Sequence, residues 1–160
     1  MHTYDREKAD RVWQRVQGSR EEPKQLPRSE ELQELIMNEW IAAATYLKLA
    51  RQMGPKEAAV LQRLFREEQN HASCLKGIYT LMTGQKAVTR SPQTVLESPE
   101  LTLRRCYGQE MRSLKAYEAR SDDPEYGHVF ARLAQQEREH CRAILALIGS
   151  IEQNRKPHGK

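Results

Sequence analysis

The stretches REEQNHASCLKG (66–77) and AQQEREHCRAIL (134–145) each set a glutamate three residues before a histidine, Glu68 with His71 and Glu137 with His140. A three-residue step keeps both side chains on one face of a helix. The flanking apolar residues share that face: Leu61, Leu64, Leu75 and Ile78 in the first stretch, and Phe130, Leu133, Ile144 and Leu147 in the second. A helix that turns this stripe inward must bury a carboxylate and an imidazole together. An unpaired buried charge costs on the order of several kcal/mol. Whatever the chain folds into must therefore supply these groups with partners in its interior.

The punctuation of the chain places both pairs in long helices. Ser29 is an N-cap followed by Glu30 and Glu31, and a first helix runs to Met53. Gly54-Pro55 ends it and opens a second helix, which runs to about Met82 and stops at Thr83-Gly84. Residues 85–97 carry no helical period and are long for a loop in a compact domain. Ser98-Pro99-Glu100 opens a third helix to about Ser121, and Asp122-Asp123-Pro124 opens a fourth to about Gln153. Upstream, Ala9, Val12, Trp13 and Val16 share one face of a short amphipathic helix within residues 1–28, before a proline-containing linker. This helix is expected to dock on the bundle or on a second subunit. A basic tail follows at 154–160.

The two halves correspond. Glu39 and Tyr46 recur 71 residues later as Glu110 and Tyr117, and Pro55, Glu68 and His71 recur 69 residues later as Pro124, Glu137 and His140. Glu39 lies 15 residues before Gly54 and Glu68 lies 13 after Pro55, so both stand roughly 20 Å from their turn. Glu110 and Glu137 stand at the same height in the second pair of helices. The expected fold is all-α: a four-helix bundle of two duplicated hairpins over 29–153, joined by a long crossover. Thirteen extended residues reach about 43 Å, enough to traverse a helix length. The acids then meet at mid-bundle, inside stripes that also include Leu32, Leu35, Ala42, Ala43, Leu103, Tyr107 and Leu114.

Four clustered carboxylates repel. Without a counter-charge their pKa values are expected above the free value of about 4.3, and stability is expected to fall from about pH 5 to 8. Two divalent cations carry the charge that balances four glutamates, and mixed O/N ligands suit paired transition metals. Spacing by itself is a weak signal. Glu125 and His128 repeat the Glu-x-x-His step, but lie 12 residues before Glu137, which turns them about 120° off the stripe.

These motifs resemble the rubrerythrin branch of the ferritin-like superfamily. EWIAAATY (39–46) is similar to that family's first-helix motif, and EEQNH (67–71) and EREH (137–140) to its two Glu-x-x-His motifs; the likeness covers residues 29 to about 152. The resemblance implies a non-haem di-iron site, with manganese or a mixed pair as variants. Glu39 and Glu110 would be terminal ligands, Glu68 and Glu137 bridging ligands, and His71 and His140 would each bind one metal. It implies an oxidoreductase that reduces peroxide or O2, re-reduced by an external electron donor, and a homo-oligomer such as a dimer. Alternatives are an O2-dependent hydroxylase with a pocket by Ala42, Ala43, Ser113 and Leu114, an iron-oxidising storage protein, or a bundle that metals merely stabilise. Ser113 stands where rubrerythrins proper carry a further acid, which predicts open volume beside one metal. Gln69 stands where bacterioferritin carries its haem-ligating methionine, so no haem is expected.

Tyr46 and Tyr117, on the same faces as their acids, either hydrogen-bond the ligand carboxylates, donate electrons, or serve as core tyrosines. Cys74, Cys106 and Cys141 form no C-x-x-C pair, which excludes a rubredoxin-type knuckle here and predicts a reducing cytoplasm. Cys74 and Cys141 read as buried spectator thiols. The N-terminal ten residues lack the apolar core of a signal peptide, and no run approaches the ~20 residues of a membrane span. The net charge of +4 includes basic residues in NRKPHGK and shows no stripe interleaved with aromatics, so neither nucleic acid nor membrane is an expected partner.

Overall fold

A computed structural model describes residues 29–155; the expected N-terminal helix and basic tail lie outside them. Four helices follow in order: α1 (Ser29–Ala50), α2 (Pro55–Thr83), α3 (Pro99–Glu118) and α4 (Gly127–Arg155). No strand occurs among the described residues. Each helix ends where local chemistry stops it. Gly54 is extended (φ −63°, ψ 163°), as a residue before proline must be, and Pro55 occupies the first turn of α2. The regular part of α1 therefore stops at Ala50 rather than Met53, and residues 51–53 tighten into i→i+3 bonds such as Gln52 N to Leu49 O at 2.9 Å. Gly84 closes α2 at φ 71°, its N–H donating to Thr80 O. Ser98 Oγ caps α3 by accepting from Leu101 N.

The start of α4 is later than the sequence predicts. Asp123 Oδ1 accepts from both Glu125 N and Tyr126 N. The first turn after Pro124 is thus held by an aspartate side chain, and the regular helix opens at Gly127. A Cβ at Gly127 would stand 2.5 Å from Ser121 O, so the tight turn between α3 and α4 admits glycine alone. At the other ends, α3 stops at Glu118, short of Ser121, and α4 continues to Arg155.

α1 packs along α2 and α3 along α4, and the hairpins meet through α2 with α4 and α1 with α3. Tyr46 of α1 reaches Glu110 of α3, and Tyr117 of α3 reaches Glu39 of α1, so these two helices run antiparallel. α2 and α3 then run parallel, and the link between them must return along the bundle. It does so over α1. Gln33 grips the Val88 peptide, accepting from its N–H at 2.9 Å and donating to its carbonyl, and Lys48 Nζ donates to Thr94 O.

Two apolar clusters fill the interior. One includes Leu32, Ile36, Leu75, Tyr117 and Phe130. The other includes Leu49, Leu61, Leu64, Leu103 and Ile144. Between them lies the layer of acids and imidazoles. Ala42 and Tyr107, expected inside, are only half-buried.

Candidate metal centre

Six ionisable side chains converge between the two apolar clusters: Glu39, Glu68, His71, Glu110, Glu137 and His140, none more than 2% exposed. His71 Nδ1 lies 2.9 Å from Glu137 Oε1, 3.3 Å from Glu68 Oε2 and 3.5 Å from Glu39 Oε2. His140 Nδ1 lies 2.8 Å from Glu68 Oε1, 3.3 Å from Glu137 Oε2 and 3.6 Å from Glu110 Oε2. Each imidazole thus touches the acid of its own helix, the facing acid of the other hairpin, and one acid of α1 or α3. The rings stack with centroids 5.2 Å apart. The heights inferred from residue counting meet at one level.

Close as they are, these groups do not satisfy one another. Both carboxylate oxygens of Glu68 and of Glu137, and Nδ1 of both histidines, have no aligned hydrogen-bond partner. Buried polar atoms left this way are costly. Glu68, His71, Glu137 and His140 each offer one atom within 4.8 Å of the others, an arrangement that could hold a metal ion. The donor set, carboxylate oxygen with imidazole nitrogen, fits a first-row divalent metal.

The outward nitrogens are occupied. His140 Nε2 lies 2.9 Å from Glu67 Oε2, and His71 Nε2 lies 3.2 Å from Gln136 Oε1. Partners of this kind fix which nitrogen carries the proton and leave Nδ1 to bind inward. The sequence reading missed both residues. The signal was present, because Glu67 and Gln136 occupy corresponding places in the two halves, immediately before Glu68 and Glu137.

The tyrosines act across the hairpins. Tyr46 Oη donates to Glu110 Oε1 and Tyr117 Oη to Glu39 Oε1. Each serves the acid of the opposite hairpin, not the one on its own helix. Burial beside Glu110 and Glu39 raises both phenols far above their ordinary range, so they are donors here. Ser113 Oγ also donates to Glu39 Oε1, at 3.3 Å. Ser113 is 4% exposed, so the open volume expected at this position is not there. Ala43 and Leu114 are buried too, and of the four residues expected to line a pocket only Ala42 does.

Without metal, the four acids do not all shift upward as expected. Burial, then repulsion from other carboxylates, raises Glu39 and Glu110 well above the carboxylate range. Burial also opposes ionisation of Glu68 and Glu137, but the close approach of Glu39 and Glu110, respectively, and of both imidazoles outweighs it and lowers them. Burial disfavours an imidazolium at His71, yet the nearby carboxylates of Glu137, Glu39 and Glu68 push it up to about 12. His140 is raised for the same reason, through Glu110, Glu137 and Glu68.

Glu125 and His128 lie exposed on the surface, away from the centre. Cys141 and Cys106 are buried, Cys74 is only half-buried, and all three are free thiols. No helix among the described residues is long and apolar enough to cross a membrane. No protein-family model, curated protein or solved structure matches the chain.

Proposed function

We propose that this chain is a non-haem di-iron oxidoreductase of the rubrerythrin-like, ferritin-like type, built from a duplicated helical hairpin and acting on peroxide or O2 in a reducing cytoplasm. The observation that carries the reading is the convergence of unsatisfied carboxylate oxygens and Nδ1 atoms in a layer closed above and below by apolar side chains. Glu39 and Glu110 would be terminal ligands, Glu68 and Glu137 shared ones, and each imidazole would bind through Nδ1. When bound, paired iron supplies one electron per ion to the oxidant, and an external donor restores them.

The chain's own groups prepare that chemistry. Tyr46 and Tyr117 orient the terminal acids by donating to one oxygen of each, which leaves the other oxygen directed at the imidazoles. Glu67 and Gln136 hold the imidazole rings. The flanking clusters keep bulk water from the layer, where electrostatic interactions are correspondingly strong. A hydroxylase that uses the same ligands is the second reading, favoured by a cavity whose wall includes Glu110.

The test is reconstitution with Fe(II) under anaerobic conditions, followed by one equivalent of peroxide. Two irons per chain, both oxidised in a single turnover, are expected. One or no iron per chain would remove the dinuclear reading. Two irons inert to both peroxide and O2 would leave a bundle that metal merely stabilises.

A further inference from the structure

The two sides of the acid layer are built alike but filled differently. Leu35 of α1 corresponds to Cys106 of α3, Ser113 of α3 to Ala42 of α1, and Glu34 to Arg105. Beside Glu39 stand the larger members of the first two pairs, Leu35 and Ser113, both buried. Beside Glu110 stand the smaller ones, Cys106 and Ala42, and there a cavity of about 230 Å³ opens between α1 and α3. Glu110 and Tyr46 belong to its inner wall, Ala42 and Cys106 to its sides, and Arg105 and Arg112 to its rim. The void follows from the exchange of a leucine for a cysteine and of a serine for an alanine.

The rim is cationic and already ordered. Arg105 donates to Val95 O at 2.6 Å and to Glu97 Oε2 at 3.3 Å, while Arg112 donates to the Gln109 amide oxygen at 2.8 Å. One carboxylate thus offsets two guanidiniums. On the other side of the layer, Glu34 would present the opposite charge. A concave site with apolar sides and a few placed charges is the usual form of a small-molecule site.

We propose that this cavity binds a small organic acid, its carboxylate on Arg105 and Arg112 and its apolar body inward against Ala42, Cys106 and the Glu110–Tyr46 pair. The consequence for chemistry rests on the di-iron reading, because only then does the inner end of the ligand lie beside a metal position. The binding itself requires no metal. The two halves of the centre then have different tasks: Leu35 and Ser113 pack beside Glu39, and the Glu110–His140 half receives the ligand.

The experiment is a calorimetric titration of hexanoate into the full chain, metal-free and iron-loaded, with hexylammonium as the charge-reversed probe. Saturable binding of hexanoate at one per chain is expected, with none of hexylammonium. Cys106→Leu introduces the residue already accommodated at position 35 and is expected to weaken hexanoate by at least about tenfold. Arg105→Glu, a surface change that keeps the core intact, is expected to do the same. Absence of saturable hexanoate binding overturns the proposal, as does equal binding of hexylammonium, or binding unchanged in the folded variants. Metal-free protein that binds hexanoate but takes up no iron keeps the cavity assignment and removes the di-iron reading. Protein that loads two irons but ignores hexanoate does the reverse.

Discussion

Glu125 with His128 and Glu137 with His140 share a spacing and a neighbourhood, and differ in everything that matters for binding. The first pair straddles the start of α4 and faces solvent. The second lies in the interior, 0% and 1% exposed, facing Glu68, Glu110 and a second imidazole. A three-residue step puts two donors on one helix face wherever it occurs. What makes a centre is the arrival of other helices at the same height, together with the expulsion of water that would otherwise satisfy the donors.

The two pairs should differ most in how much metal depends on them. Glu137→Gln and His140→Ala are each expected to reduce iron from two per chain to one or none, whereas Glu125→Gln and His128→Ala keep both ions. Elemental analysis after reconstitution decides, and equal losses from the two pairs would abolish the distinction.

The next largest effect is on pH dependence. Glu39 and Glu110 have raised folded pKa values, so the stability they lend is fully present below about 4.5 and is lost as pH rises. His71 and His140 are raised as well, so their contribution is fully present below about 6.5 and is lost on the way to about 12 for His71. The two contributions fall together above about pH 6.5. Glu68 and Glu137 act oppositely, their contribution being lost only as pH falls below about 4.5. Urea unfolding of metal-free protein should therefore show stability declining from pH 5 to about 9, and bound divalent metal should reverse the slope up to about pH 7, because ligands deprotonated in the folded state bind protons only when the chain unfolds. A flat metal-free curve would contradict the buried layer. The slope should survive His128→Ala, because His128 lies on the surface and touches none of the six buried groups.

Smaller effects sharpen the contrast within the centre. Glu67→Gln is expected to weaken one metal position by about tenfold, and Gln136→Glu to strengthen the other, in competition titrations against a chelator. Tyr46→Phe should destabilise the protein by about 1–3 kcal/mol, because it removes a hydrogen bond to buried Glu110. Tyr117→Phe should cost less, since Ser113 still donates to Glu39. His128→Ala should stay within about 0.5 kcal/mol, as exposed positions generally do.

Counting residues from the turns was enough to bring the six donors to one height, because helical rise is constant and Gly54-Pro55 and Asp123-Pro124 mark the ends. Counting along one helix cannot say which neighbour a side chain meets. Tyr46 was legible as a partner of an acid, but its attachment to Glu110 rather than to Glu39 depends on the antiparallel pairing of α1 with α3. The pocket was misplaced for a related reason. It depends on the difference between Leu35 and Cys106, and becomes legible only when the two halves are laid side by side. The shift directions of Glu68 and Glu137 depended on imidazole distances that no spacing rule contains.

The crossover has a kinetic consequence. Glu39, Glu68 and His71 come from one hairpin and Glu110, Glu137 and His140 from the other, so neither hairpin carries more than half the donors. The segment held by Gln33 and Lys48 acts as a tether that turns their meeting into an intramolecular event, at an effective concentration that short linkers set near the millimolar range. On the di-iron reading, full coordination must wait for docking, and the rate of metal capture reports when the hairpins close. A chain nicked at the exposed Arg90–Ser91 bond would lose that tether, and its metal uptake would become second order in protein fragments.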